Sequence, residues 1–177
     1  MKVLREEVVY KGKFMDFVVL EYEKGGKVFR RQLVRHPGAV VIVPILEDGK
    51  VIFERQFRFS VGDYILELPA GTLEEGEDPL ECARRELLEE TGYIAEDWEK
   101  VAEFYLAPGY STEYMHLFFA RKLKFLGGNL DEDEDIEVLS LSREEILRGI
   151  ERGRDKGCQE FGGEPPVYFT NLKYQDG

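Results

Sequence analysis

Three glutamates, Glu86, Glu89 and Glu90, fall three and four positions apart within the run Arg85-Glu86-Leu87-Leu88-Glu89-Glu90-Thr91-Gly92. On a helix that spacing stacks like charges on one face, which destabilises the helix when it stands alone. The pattern makes chemical sense if a doubly positive ion lies over it. Magnesium, a hard cation, takes carboxylates, carbonyls and water in octahedral geometry and draws part of its shell from substrate phosphates. A solvated acidic face, partly compensated by Arg84 and Arg85, would have the same composition.

The elements that must hold these glutamates are legible around them. Asp78 suits an N-cap, Pro79 the first helical position, and Glu81 stands in the capping-box relation to the cap. Leu80, Ala83, Leu87 and Leu88 supply an apolar stripe at helical spacing. Gly92 can take the left-handed conformation that ends a helix. Upstream, Leu68-Pro69-Ala70-Gly71 predicts a turn, and Thr72 to Glu77 an acidic loop leading into the helix.

The spacing is specific. Gly71, five residues, Glu77, seven residues, then Arg85-Glu86-Leu87, Glu89-Glu90, Gly92 and the bulky Tyr93 resemble the Nudix box position for position. Only Tyr93 departs, standing where that family usually has an aliphatic residue. The resemblance implies that Glu86 and Glu90 bind a divalent metal, Mg²⁺ or in its place Mn²⁺, with Glu89 close by. It implies that the backbone carbonyl of Ala70 completes the site, and that Arg85 and Glu77 brace loop against helix. The implied reaction is hydrolysis of a nucleoside diphosphate linked to another moiety. In such chemistry metal neutralises the diphosphate and acidifies a water that attacks phosphorus in line.

Features outside the box bear on the substrate. Pro108 follows Tyr93 by fifteen residues, which resembles the ADP-ribose pyrophosphatase subgroup, although a rigid turn alone would explain a proline there. Arg55-Gln56-Phe57-Arg58 resembles the Gln-aromatic-Arg element of the same subgroup, which implies that Arg58 contacts the substrate diphosphate. A guanidinium suits that role because its planar fork bonds two phosphate oxygens. The alternative is a strand-end arginine paired with a carboxylate. The run Leu130-Asp131-Glu132-Asp133-Glu134-Asp135-Ile136 lacks the glycine and spaced ligands of an EF-hand. By composition it is a solvated loop. The resemblance implies instead that Glu132 and Glu134 supply catalytic carboxylate, one assisting the attacking water and the other reaching metal, with Glu113 as a further acidic candidate. For the base, the resemblance points to the N-terminal strands, where Phe14 and Arg31 (or Arg30) could stack on a purine. Phe14 could equally belong to the core.

Composition frames these readings. At 177 residues and 43 % hydrophobic content the chain fits one globular domain with a sizeable core. A formal charge of −12 argues against non-specific binding to nucleic acid or to an anionic membrane. Two cysteines, Cys82 and Cys158, are too few for a disulfide framework, which favours a reducing cytoplasm. The residues after Met1 lack the apolar core of a signal peptide, and no apolar run reaches the length of a membrane span.

Strands are expected at 8–10, 17–22, 28–34, 39–46, 50–57, 64–68, 98–106, 115–122 and 136–141, with a hairpin turn at Gly25-Gly26 and a turn at Asp48-Gly49. A second helix is expected from Ser142 through Ile150, with Ser142 as N-cap and Glu145 in the capping box. The order gives an α/β fold. It agrees with the Nudix-type α/β/α sandwich that the resemblance implies, with a mixed central sheet and an N-terminal antiparallel strand region. The expected organisation is a strand arm over 1–36 that could pair two copies as a homodimer, a hydrolase domain over 37–153, and a divergent tail over 154–177. The leading reading is Mg²⁺-dependent cleavage of ADP-ribose to AMP and ribose 5-phosphate. The same chemistry on another nucleoside diphosphate sugar or a dinucleotide is the alternative enzyme, and a non-catalytic nucleotide sensor is the alternative class.

Overall fold

In a computed structural model the chain is described at residues 1–127 and 136–155, with side chains to residue 151. Its contacts divide into two compact units. The first holds Met1–Val41, Ala70–Ala83 and Lys100–Phe118, and the second Ile42–Pro69, Arg84–Glu99 and Phe119–Gly177.

The first unit opens with strands β1 (Lys2–Lys11), β2 (Asp16–Lys24) and β3 (Lys27–Arg35), antiparallel and in that order. Gly25 and Gly26 both take positive φ, 62° and 75°, between the paired Lys24 and Lys27. That is the two-residue turn whose twist matches the strands it joins. β1 is exposed along its whole length and carries two register shifts, at Val3/Arg5 and Val8/Tyr10. The end of β3 is pinned to residues 110–112. The Val34 amide donates to the Tyr110 carbonyl (2.8 Å), and the Thr112 amide to the Val34 carbonyl (3.0 Å).

Strand β4 (Ala39–Pro44) belongs to a four-stranded sheet ordered β7-β4-β9-β8, with β7 at Ala70–Thr72, β8 at Tyr93–Tyr105 and β9 at Tyr114–Phe125. β7 corrects the expected turn at 68–71 and loop from 72. Ala70, Gly71 and Thr72 pair with Val41, Val40 and Ala39. Leu73 extends the contact by donating to the Gly38 carbonyl at 3.0 Å. Unsatisfied backbone beside a strand edge is costly, and pairing with β4 removes that cost although Ala70 and Gly71 have little strand propensity.

In the second unit, β5 (Val51–Arg58) runs between β10 (Ile136–Leu141) and β6 (Asp63–Glu67), antiparallel to both. A central strand is covered on both faces, so Ile52, Phe53, Glu54 and Gln56 are all buried. β8 begins five residues earlier than the Trp98 start expected from the sequence. Ala95, Glu96 and Asp97 have weak strand propensity, but Tyr93 packs on Phe125 with ring centroids 5.1 Å apart. Glu96 pairs with Lys124, and Glu99 with Arg121 at 2.8 Å. Such side-chain pairs stabilise adjoining strands whatever their propensity.

Two helices are described: α1 (Pro79–Thr91) and α2 (Arg143–Asp155). No described helix is long and apolar enough to cross a membrane. The α2 cap is a reciprocal capping box. The Ser142 amide donates to Glu145 Oε2 (2.8 Å), and the Glu145 amide to Ser142 Oγ (3.3 Å).

Candidate active site

α1 is built as its sequence requires. Asp78 Oδ1 accepts from the amides of Leu80 (2.9 Å) and Glu81 (3.4 Å), satisfying two donors that a helix start leaves free. At the other end Gly92 has φ of 74°, and its amide donates to the Leu88 carbonyl at 2.9 Å. Cys82, Ala83 and Leu87 are fully buried, whereas Leu80 and Leu88 are half-buried, so the core stripe is rotated slightly from the expected one. Cys82 is a small buried residue whose Sγ donates to the Thr72 carbonyl at 3.7 Å.

That rotation sorts the glutamates. Glu90 is only 7 % exposed. The side chain of Glu86 retains 13 % of its exposure and that of Glu89 retains 53 %. Arg85 Nη1 bridges two of them, at 2.8 Å from Glu86 Oε1 and 3.0 Å from Glu89 Oε2. Glu77 helps close the preceding loop, its Oε2 accepting from the Glu74 amide at 2.9 Å. Ala70 opens β7 opposite Val41.

Among the described residues no three His, Cys, Asp or Glu side chains are drawn together as a metal cage. The donor chemistry still fits a hard divalent cation, because it is all oxygen and Glu90, almost out of water, is a carboxylate that favours a positive neighbour. Glu132 and Glu134 lie outside the described residues.

Arg58 ends β5 and pairs with a carboxylate, the alternative left open by its sequence. Its Nε lies 2.6 Å from Glu67 Oε1. Burial raises the Glu67 pKa above the usual carboxylate value, and the hydrogen bond and charge of Arg58 pull it back in part. Glu67 was not singled out in the sequence. The available signal was an acidic residue on an apolar strand directly before the Leu68-Pro69 break.

The remaining candidates lie in the first unit. Phe14 is 56 % exposed, with the Lys13 ammonium 4.7 Å from its ring centre, so it is not a core residue. Arg31 lies over the Tyr22 ring at 5.8 Å, and Tyr22 stacks on Phe29 at 5.6 Å. Arg30 is committed to Glu21 through its Nε, at 2.8 Å. Pro108 occupies a turn in which the Tyr110 and Ser111 amides both donate to the Ala107 carbonyl, at 3.1 and 2.9 Å. Glu113 follows that turn, its amide donating to Ser111 Oγ at 3.1 Å.

A NUDIX domain model matches residues 34–158. The chain belongs to the Nudix family. It is 41 % identical to the ADP-ribose pyrophosphatase of Bacillus subtilis (strain 168) over 85 % of this chain and 83 % of that protein. It is 38 % identical to the methanol dehydrogenase activator of Bacillus methanolicus over 86 % of this chain and 84 % of that protein. A crystal structure of an ADP compounds hydrolase superposes with a TM-score of 0.71 at 27 % identity, covering 85 % of this chain and 84 % of that one. The chain is therefore a Nudix hydrolase of α/β fold, and Gly71 to Tyr93 is its Nudix box. The box contains the last two residues of β7, the loop closed by Glu77, and all of α1.

Proposed function

We propose that this Nudix hydrolase cleaves the diphosphate bond of ADP-ribose, adding water to give AMP and ribose 5-phosphate. The observation that carries the reading is the 41 % identity to an ADP-ribose pyrophosphatase across 85 % of the chain. The intact set of box glutamates supports catalysis over sensing, because a sensor has no need of groups that activate water. Glu86, Glu90, Glu89 and the Ala70 carbonyl would hold Mg²⁺ (or Mn²⁺), with Glu134 as a further ligand. The ion would supply positive charge to the diphosphate and acidify water.

The chain's own residues do the rest. Arg58 binds a phosphate through its guanidinium, and Glu132 or Glu134 orients or deprotonates the attacking water. Arg85 keeps Glu86 and Glu89 in place, consistent with its distances to both. Phe14 and Arg31 take the base by stacking, and Glu113 faces the substrate. Residues 1–36 act as an arm that pairs with a second copy, consistent with apolar side chains exposed along β1. A net charge of −12 suits a cytoplasmic enzyme of small-molecule substrates that binds neither nucleic acid nor membrane.

Glu90→Gln tests the catalytic reading. It should abolish Mg²⁺-dependent release of AMP while leaving the melting profile close to that of the parent; undiminished turnover would sink the metal assignment. Substrate choice is tested with a panel of ADP-ribose, ADP-glucose, GDP-mannose, NADH and diadenosine polyphosphates, scored by kcat/KM. ADP-ribose should rank among the best. Binding of ADP-ribose without AMP release, with Mg²⁺ present, would make the protein a sensor.

A further inference from the structure

Arg58 bypasses its nearest carboxylate. In the β5–β6 register it faces Asp63, while Glu67 faces Glu54, four residues back along the strand. At about 3.3 Å per residue that offset is about 13 Å between backbones, a span that needs both side chains nearly extended along the hairpin. Asp63 does not take the arginine; its Oδ1 accepts from the Tyr64 amide at 2.8 Å. The arginine instead reaches a carboxylate held in the more sheltered place: the Glu67 side chain is 20 % exposed and that of Arg58 is 40 %. Glu67 is thus the fixed end of the pair.

The atom used matters. A guanidinium can offer a carboxylate or phosphate either its side edge, Nε with one Nη, or its end, the two Nη groups. Glu67 engages Nε at 2.6 Å. This uses one atom of the side edge and leaves the end fork to meet a second anion. A guanidinium fixed at one edge also has fewer rotamers to lose when the other edge binds, which is how preorganisation raises affinity.

We propose, resting on the diphosphate role given to Arg58 above, that Glu67 is a positioning residue that clamps Arg58 Nε and presents Nη1 and Nη2 to the substrate diphosphate. The site is then a carboxylate–guanidinium–diphosphate relay across one β-hairpin. A lysine could not replace the arginine, since its ammonium is a point charge with no second, planar edge that a clamp on the first could orient.

The experiment uses the full chain with Mg²⁺. It combines steady-state kinetics on ADP-ribose with calorimetric binding of its non-hydrolysable α,β-methylene analogue, and each variant is melted to check folding. Glu67→Ala should weaken analogue binding about tenfold, the effect of losing one charge-assisted hydrogen bond. KM should rise more than kcat falls. Glu67→Gln, which keeps an acceptor without the charge, should lie between and serves if the alanine variant does not fold. Glu67→Ala added to Arg58→Ala should cost nothing further. In an Arg58→Lys background removing Glu67 should weaken binding far less than in the parent, because an ammonium has no second edge for Glu67 to orient, whereas a role confined to packing would give the same loss in both. The proposal is overturned if Glu67→Ala tightens binding in the parent, which would make Glu67 a competitor for Arg58. It is equally overturned if Glu67→Ala has no effect while Arg58→Ala weakens binding. If Arg58→Ala itself leaves affinity unchanged, the diphosphate role of Arg58 has failed, a distinct result.

Discussion

Gly92→Ala probes the joint between α1 and the strand that follows it. Gly92 is buried with φ of 74°. Its amide caps α1 at the Leu88 carbonyl, and its carbonyl accepts from the Leu126 amide, both at 2.9 Å. An added Cβ in this left-handed conformation costs about 1–2 kcal/mol. Alanine also restricts the unfolded chain, which offsets about 0.4–1 kcal/mol of that. The net loss is about 1 kcal/mol, and relaxing φ to avoid it would break the two hydrogen bonds. For a domain of this size the melting temperature should fall about 2–4 °C. Scanning calorimetry and urea denaturation would both report it, with an unchanged m-value because the surface exposed on unfolding is the same. Asparagine tolerates the left-handed region better, so Gly92→Asn should lose about half as much. Equal stability for parent and Gly92→Ala would refute the reasoning, as would an asparagine variant no better than alanine.

Other outcomes follow from the same geometry. Asp78→Ala removes the acceptor for two amides at the start of α1 and should cost about 1 kcal/mol in urea denaturation. Glu67 has a raised pKa, so its contribution to stability is fully present below its unfolded value of 4.5 and is lost as pH rises through its folded value. Stability of the parent relative to Glu67→Gln should therefore decline with rising pH across that window and level off above it. Glu145 behaves oppositely. The Ser142 amide, then its hydroxyl, lower the Glu145 pKa, so its contribution is present above 4.5 and lost as pH falls through the folded value. Glu145→Gln should flatten that acid limb in pH-dependent melts, and Ser142→Ala, which removes the hydroxyl and keeps the amide, should flatten it less. Mg²⁺ at a hundredfold excess over its dissociation constant should stabilise the fold by about 2.7 kcal/mol, and Glu90→Gln should remove the shift; a shift surviving the substitution would place the ion elsewhere.

The parts of the fold legible in the sequence are those written in local chemistry. Asp78, Pro79 and Gly92 bound α1 because capping depends on a few adjacent groups, and Gly25-Gly26 marks its hairpin because few residues tolerate positive φ twice in succession. β10 at Ile136–Leu141 was readable from its apolar content. What escaped depends on partners distant in sequence. β7 exists because β4 offers it a free edge, and β8 starts at Tyr93 because Phe125, Lys124 and Arg121 lie across from it. The site divides the same way. The helix glutamates announce themselves by spacing, but their unequal burial reflects the rotation of α1. Glu67 carries no motif, and only the hairpin that folds it back toward Arg58 gives it a role.

The two-residue turn at Gly25-Gly26 has a consequence for how this protein can vary. Lys24 and Lys27 are paired across it, and the same register runs without a shift to Asp16 opposite Arg35. Because side chains alternate faces along a strand, one residue added or lost at the turn would slip the register and move every side chain of one strand to the other face. Length at this turn is therefore held far more tightly than the identity of the exposed side chains beyond it, and a lineage can rewrite the surface of this hairpin readily so long as its turn stays two residues long.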